Sequence, residues 1–186
     1  MSRLNRKVIF VTGGAKSGKS SFVLDEAAKH EGQKAFIATA EALDEEMKNR
    51  IEKHRRERGE GWDTYEEPVR ITEVIKNIEG KYGAIVIDCL TLWLSNLMHA
   101  NLDISQEIEK LVEVLSSSKF NIQHPTFNIQ HSTLCLVSNE VGAGIVPENK
   151  LAREFRDLAG TMNQRIAGAS DEVFMVVAGI PVKIKG

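Results

Sequence analysis

The segment GGAKSGKS, which follows the short apolar run VIFVT, limits the possible folds of this chain more than any other feature. Gly13, Gly18, Lys19 and Ser20 fit the spacing G-x-x-x-x-G-K-[ST], and helical spacing begins at Lys19. Glycines at these positions let backbone N–H groups surround phosphate oxygens, and the following helix adds the positive end of its dipole. We therefore predict a nucleoside triphosphate site rather than an ordinary glycine-rich turn, with Lys19 at the β and γ phosphates and Ser20 on Mg²⁺.

Short apolar runs alternate along the chain with longer segments that have helical spacing. The runs are rich in β-branched residues and comprise Val8 to Thr12, Ala35 to Thr39, Ala84 to Asp88, Leu134 to Ser138 and Val173 to Val177. The helical segments are roughly Lys19 to His30, Leu43 to Arg58, Thr72 to Ile78, Leu92 to His99, Ile104 to Ser116 and Glu148 to Ala167. This alternation predicts an α/β fold with a mostly parallel central sheet and helices on both faces. Its ligand should lie beyond the carboxyl ends of the strands.

The composition indicates one domain over residues 1–186 that needs neither disulfides nor a structural metal. A net charge of −2 argues against a nucleic-acid binder or a polybasic membrane anchor. No segment reaches a membrane-spanning length and the amino terminus is not a signal peptide, so we expect a soluble cytoplasmic protein. Cys89 and Cys135 lack metal-ligand spacing and should be buried, reduced residues.

One segment interrupts the alternation, because residues Phe120 to Thr126 recur almost unchanged as Phe127 to Thr133. A single short tandem copy is not a repeat-protein unit, and Pro125 argues against a continuous helix. We interpret the region at about 117–133 as a surface-loop insertion, with His124 and His131 as solvated residues rather than metal ligands.

Asp88 ends the apolar run AIVID, which places a carboxylate at the end of a predicted strand. A phosphate loop of this type works with such a carboxylate on the magnesium side, so we predict that Ser20 and Asp88 serve the metal. Asp88 could also cap the helix that begins near Thr91, and the two interpretations are not exclusive. The guanine-reading NKxD motif of switch GTPases is absent, which disfavours that class.

The segment RIEKHRRER surrounds His54 with positive charge, and a charge run of this kind is usually a solvated helix face. A turn of about 100° per residue nevertheless puts His54 and Arg58 on the apolar side of the predicted helix. Arg55 and Arg56 point further round. Neighbouring cations would lower the pKa of His54, attract a polyphosphate and stabilise a departing pyrophosphate. This pattern permits a nucleophilic histidine, although a lone histidine on an apolar stripe is more often a core residue.

Four segments together resemble one known family. They are GGAKSGKS, IATAEALDEEMKNRIEKHRRERGEGWDTYEEP, IVIDCLTLWLSNL and the block that runs from VSNEVGAGIVPENK to the end. These closely resemble the bifunctional adenosylcobinamide kinase and adenosylcobinamide-phosphate guanylyltransferase family of cobalamin biosynthesis. The resemblance covers about Val8 to Lys185, apart from the segment 104–116 and the duplicated loop.

The resemblance implies a RecA-like P-loop fold and two successive reactions. ATP or GTP phosphorylates adenosylcobinamide, and GTP then transfers GMP to the new phosphate through a guanylylated histidine. The products are adenosylcobinamide-GDP and pyrophosphate. It also implies a homo-oligomer, a trimer in this family, with Mg²⁺ as the metal.

The resemblance further implies the site residues. His54 occupies the position of the histidine nucleophile in this family, and Lys19 is the second implied catalytic residue. Ser20 and Asp88 would hold the metal. Some members have a longer glutamate at Asp88. The implied nucleotide contacts are Gly13, Gly14, Ala15, Lys16, Ser17, Gly18, Lys19, Ser20, Ala38, Thr39, Ala40, Arg55, Arg56, Glu57, Arg58, Glu66 and Asp88.

Several assignments stay open at this point. Asn139 and Glu140 could contact the corrinoid or the nucleotide, or could cap a helix, and Trp62 and Trp93 are expected to be packing residues. A plain P-loop small-molecule kinase, in which the arginines act on a transferring phosphoryl group and His54 is a core residue, is the alternative function. A non-catalytic nucleotide-dependent regulator is a third interpretation.

Overall fold

A computed structural model describes residues 5–42, 45–59, 61–117 and 131–186. The strands are β1 (Asn5–Thr12), β2 (Lys34–Ala38), β3 (Trp62–Glu66), β4 (Ala84–Asp88), β5 (His131–Val137), β6 (Glu172–Val177) and β7 (Ile180–Lys185). The helices are α1 (Lys19–Ala28), α2 (Glu45–Arg58), α3 (Ile71–Ile78), α4 (Leu90–His99), α5 (Ile104–Ser116) and α6 (Lys150–Ala169). None of these helices is long and apolar enough to span a membrane.

All seven strands form one sheet in the order β3-β2-β4-β5-β1-β6-β7. Neighbouring strands are parallel except for the β6–β7 hairpin, which is antiparallel. Alternate residues of β1 enter two different core clusters, Val8 in one and Ile9 in the other, because successive side chains of a strand point to opposite faces. Helices α3 to α6 cover the first face and α1 covers the second. The predicted α/β class with a mostly parallel sheet and helices on both faces is therefore confirmed.

The two strands that the apolar runs do not predict lie at the two edges of the sheet. β3 is at most half-buried along its length, and every residue of β7 is exposed. Neither strand contains a continuous apolar run, since one reads WDTYE and the other reads IPVKIK. Edge strands commonly carry charges and proline in this way, because these residues discourage pairing with another chain.

β5 begins earlier than predicted. His131 already pairs with Asn5 of β1, so the last three residues of the expected insertion belong to the strand. The interpretation of His131 as a loop residue is therefore wrong, because its backbone belongs to β5. The rest of the expected insertion, including His124, lies outside the described residues.

The packing roles predicted for the cysteines and tryptophans are confirmed. Cys89 and Cys135 are buried free thiols, and burial raises the pKa of Cys135 to about 12. Trp93 is fully buried and donates its indole N–H to the carbonyl oxygen of Val69. Trp62 packs edge-on against the ring of Phe36.

The parallel strands β1, β2, β4 and β5 end at the same edge of the sheet. The phosphate loop follows β1, Ala38 ends β2 and is followed by Thr39 and Ala40, and Asp88 ends β4. Because β5 lies between β4 and β1, its last residues separate Asp88 from the phosphate-loop strand. The topology thus collects most of the predicted site at one edge, as expected for open α/β sheets.

Candidate nucleotide-binding site

The phosphate loop has the backbone that its glycines make possible. Gly13 and Gly18 have φ angles of 150° and 98°, in the region that side chains disfavour. Lys19 is 6% exposed, and its ammonium group bonds to the carbonyl oxygens of Gly13 at 3.0 Å and Gly14 at 2.6 Å. The loop therefore holds a buried cation at the start of α1, where a phosphate group would meet it.

The β6–β7 hairpin supports this loop from the neighbouring position in the sheet. Its turn residue Gly179 donates its N–H to the carbonyl oxygen of Ser17 at 2.8 Å. A Cβ atom at Gly13 would overlap the carbonyl oxygen of Val176, and one at Gly18 would lie 3.2 Å from the Cα of Gly179. Close packing against the hairpin is thus a second reason for glycine at both loop positions.

Ser20 and Asp88, which are predicted to serve the metal, are in direct contact. The Ser20 hydroxyl donates to Oδ2 of Asp88 at 2.8 Å. The alternative interpretation of Asp88 as a helix cap is not supported, because the N-cap of α4 is Cys89 and has no side-chain cap hydrogen bond.

The donor set of this pair fits Mg²⁺. Hydroxyl and carboxylate oxygens are the hard donors that Mg²⁺ prefers, and Mg²⁺ bound with a nucleotide usually takes only one or two carboxylates from the protein. Among the described residues, no three His, Cys, Asp or Glu side chains cluster as metal ligands.

Thr39 lies behind the wall of the site and not in it. Its hydroxyl group is fully buried, donates to the carbonyl oxygen of Cys89 at 2.8 Å and accepts the Cys89 N–H at 2.8 Å. Its backbone carbonyl oxygen accepts a hydrogen bond from the Asn96 amide. Thr39 therefore fixes the backbone next to Asp88, whereas its neighbours Ala38 and Ala40 face the cleft.

Arg58 turns toward the sheet, as the helical spacing predicts. It is half-buried, lies 3.8 Å from the centre of the Phe36 ring and bonds to the hydroxyl of Thr64 at 3.3 Å. Burial lowers the pKa of its guanidinium, and the neighbouring Arg55 lowers it further, whereas Asp88 raises it. An arginine guanidinium stays charged despite such a shift, so Arg58 is a cation held on an aromatic ring at the rim of the site.

The other arginines of α2 differ in position. Arg55, which the helical spacing places further round the helix than Arg58, lines the cleft and forms an ion pair of 3.2 Å with Glu66 at the end of β3. Arg56 is exposed and pairs with Glu52 on its own helix, so its nucleotide contact stays a prediction. His54 lies in α2, but the predictions for the side chains of His54 and Glu57 fall outside the described side chains.

These elements enclose a cleft of about 760 Å³ between the phosphate loop and α2. The lining residues Phe36 and Leu92 are not predicted from the sequence, because apolar strand and helix residues are first assigned to the core. Thr64 is not predicted because its strand, β3, has no apolar run. Five of the predicted nucleotide contacts that the structure describes do not line the cleft, namely Gly13, Gly14, Ala15, Thr39 and Arg56. The lining comprises Lys16, Ser17, Gly18, Lys19, Ser20, Ser21, Phe36, Ala38, Ala40, Met47, Asn49, Ile51, Arg55, Arg58, Thr64, Glu66, Asp88, Cys89, Leu92 and Asn139.

The sequence matches one family model over nearly its whole length. Residues 9–184 match the CobU family, described as cobinamide kinase / cobinamide phosphate guanyltransferase. The chain belongs to this family. The family assignment thus confirms the resemblance that the phosphate loop and the arginine-rich helix carry.

Characterised relatives agree with this assignment. The bifunctional adenosylcobalamin biosynthesis protein CobU of Escherichia coli (strain K12) is 38% identical over 181 residues, which cover 96% of this chain and 99% of that protein. The protein of the same name from Salmonella typhimurium is 40% identical over 96% of this chain and 99% of its own length. The bifunctional protein CobP of Pseudomonas aeruginosa is 37% identical over 95% of this chain and 96% of its own.

The solved structures to which the chain is similar are distant from it in sequence. The RadB recombinase is 11% identical with a TM-score of 0.44, and the alignment covers 91% of this chain and 73% of that one. The P4 protein of bacteriophage phi6, solved with ADP, is 12% identical with a TM-score of 0.45 and covers 94% and 52%.

Proposed function

We propose that this chain phosphorylates adenosylcobinamide with ATP or GTP and then transfers GMP from GTP to adenosylcobinamide phosphate through a guanylylated His54. One observation supports this more than any other. The Ser20–Asp88 pair of the phosphate loop shares a single cleft with two arginines of the helix that carries His54. Membership of the family supplies the identity of the substrates.

In the first step the hydroxyl oxygen of adenosylcobinamide bonds to the γ-phosphorus, and the nucleoside diphosphate leaves with the electron pair of the broken bond. Lys19 would hold the β and γ phosphates, and Ser20 and Asp88 would hold Mg²⁺. When bound, Mg²⁺ neutralises charge on the phosphate oxygens. The backbone N–H groups of the loop would fix the phosphates in place for attack.

In the second step an imidazole nitrogen of His54 bonds to the α-phosphorus of GTP and pyrophosphate leaves. A phosphate oxygen of adenosylcobinamide phosphate then displaces the histidine and forms adenosylcobinamide-GDP. Ile51 and Arg58 line the cleft, and His54 follows the first by three residues and precedes the second by four, a spacing typical of one helix face. Arg55 and Arg58 would stabilise the negative charge of the pyrophosphate.

The test of this function is an assay that separates the two products. The protein is incubated with adenosylcobinamide, Mg²⁺ and either ATP or GTP, and corrinoids are resolved by chromatography and mass spectrometry. We expect GTP to give adenosylcobinamide-GDP with pyrophosphate, whereas ATP alone should stop at the phosphorylated corrinoid. Phosphorylated corrinoid as the only product with either nucleotide would contradict the second step and favour a plain kinase.

We also propose that the chain forms a homo-oligomer through the exposed face of β7, with the trimer of its family as the expected form. Ile180, Val182 and Ile184 are 66%, 49% and 61% exposed. They alternate along the strand and so share one face, which none of the helices in the described residues covers. Contiguous exposed apolar residues on an edge strand typically mark a protein contact.

Sedimentation analysis tests this second proposal. The wild-type chain should sediment as a multiple of its 20.7 kDa mass, and the double substitution Ile180→Lys with Val182→Lys should shift it toward the monomer. Lys183→Gln, on the other face of the same strand, is the matched control and should leave the mass unchanged. A wild-type monomer at every concentration would contradict the proposal.

A further inference from the structure

Asn139 occupies a fixed position between the phosphate loop and Asp88. It follows the central strand β5, and the residues on either side of it are tied to the segment that leads into the phosphate loop. The Ser138 N–H donates to the carbonyl oxygen of Val11 at 2.9 Å, and the Glu140 N–H donates to that of Gly13 at 2.9 Å. The backbone of Asn139 therefore cannot move independently of the phosphate loop.

Two helices fix Asn139 from the other side. Its carbonyl oxygen accepts a hydrogen bond from the amide of Asn163 in α6 at 3.3 Å, and Asn163 also accepts the buried Ser138 hydroxyl at 2.7 Å. The side-chain amide of Asn139 donates to the hydroxyl of Thr91, in the first turn of α4, at 2.8 Å. Thr91 itself is only 5% exposed. The carboxamide is thus oriented before any ligand binds, which is a requirement for efficient stabilisation of a transition state.

The carboxamide lines the same cleft as Ser20 and Asp88. A carboxamide has two N–H donors. One bonds to the Thr91 hydroxyl, and the same nitrogen lies 4.0 Å from Sγ of Cys89, a weak acceptor that a phosphoryl oxygen can replace. Asp88 would hold Mg²⁺ on the side of the γ-phosphate. Because β5 lies between β1 and β4, Asn139, which follows β5, lies between the phosphate loop and Asp88 and so near the expected γ-phosphoryl group. A neutral donor at this position can bond to a phosphoryl oxygen. A second carboxylate there would instead repel the negatively charged oxygen.

We propose that Asn139 donates a hydrogen bond to the γ-phosphoryl group in the kinase step and has no part in the guanylyl step. This inference rests on the proposed function and assigns one residue to one of its two reactions. In the kinase step a bond forms from the substrate hydroxyl oxygen to the γ-phosphorus. The bond to the β–γ bridging oxygen breaks, and the hydroxyl proton passes to water. Guanylyl transfer breaks the α–β linkage instead, so it does not need a donor at the γ position.

Asn139→Ala tests the assignment through two separate rates on the same protein. The kcat for phosphorylation of adenosylcobinamide should fall about 100-fold with KM for adenosylcobinamide nearly unchanged, as for loss of one transition-state donor. The initial rate of protein labelling by α-labelled GTP should stay within about 3-fold of wild type, because that reaction lacks the lost contact. Asn77→Ala, on the exposed side of α3, is the matched control and should change neither rate.

A second variant keeps the inference testable if Asn139→Ala does not fold. Thr91→Val removes the hydroxyl that orients the carboxamide and should lower the phosphorylation rate by about 10-fold while labelling persists. Wild-type phosphorylation in the folded Asn139→Ala protein would overturn the inference, as would an equal loss of both rates in either variant. Failure of the wild-type protein to phosphorylate adenosylcobinamide would instead contradict the proposed function itself.

Discussion

Lys19→Ala should remove most nucleotide-dependent turnover while the fold stays intact. The ammonium group of Lys19 is buried in the phosphate loop and bonds to two of its carbonyl oxygens, so its charge lies where the β and γ phosphates are expected. Loss of such a preorganised cation should lower kcat for phosphorylation at least about 100-fold. Steady-state kinetics with adenosylcobinamide and ATP measure this effect, and circular dichroism reports the fold.

Lys29→Ala is the control for this substitution. Lys29 is the C-cap of the same helix, is exposed and pairs with Glu26, so the variant removes the same charge from the far end of α1. It should leave turnover within about 2-fold of wild type, because isolated surface ion pairs contribute little. Retention of wild-type kinase activity by Lys19→Ala would mean that the phosphate loop does not bind the nucleotide as proposed.

His54→Ala should abolish formation of adenosylcobinamide-GDP and leave phosphorylation of adenosylcobinamide largely intact. The covalent route to GMP transfer has no other nucleophile in this proposal, whereas the kinase step uses the phosphate loop and the Ser20–Asp88 pair. The expected loss in guanylyl transfer is at least about 1000-fold, and it is measured by mass spectrometry of the corrinoid products. His99→Ala, an exposed histidine at the end of α4, is the matched control.

The rate of guanylyl transfer through His54 should depend on pH. Protonation removes the lone pair of an imidazole, so guanylyl transfer should slow as the pH falls through the range in which histidine side chains titrate, before the protein unfolds. A rate that is flat from about pH 8 to about pH 5 would argue against neutral imidazole as the attacking group.

The parts of the site that local sequence patterns determine are predicted well. The phosphate loop follows from the spacing of its glycines and lysine, and Asp88 follows from its place at the end of an apolar run. Their contact follows from topology, since the carboxyl ends of parallel strands meet at one edge of the sheet. The observed bond of 2.8 Å between Ser20 and Asp88 confirms that the two are brought together.

The side-chain partners that depend on packing between different helices and strands are not predicted from local sequence patterns. The Thr39 hydroxyl bonds to the backbone of Cys89, fifty residues away, so it fixes the wall of the cleft and does not line it. Arg55 pairs with Glu66 on β3. This edge strand has a polar sequence without an apolar run, so it is not recognised as a strand from the sequence. In both cases a partner on another element decides where the side chain lies.

The most direct test of the central claim is the covalent intermediate on His54. The protein is incubated with Mg²⁺ and GTP labelled either at the α or at the γ phosphate, then denatured and separated from free nucleotide. We predict an acid-labile, base-stable label from α-labelled GTP, none from γ-labelled GTP, and none from either with His54→Ala. Absence of the α label from the wild-type protein, or an undiminished label after His54→Ala, would contradict guanylyl transfer through this histidine.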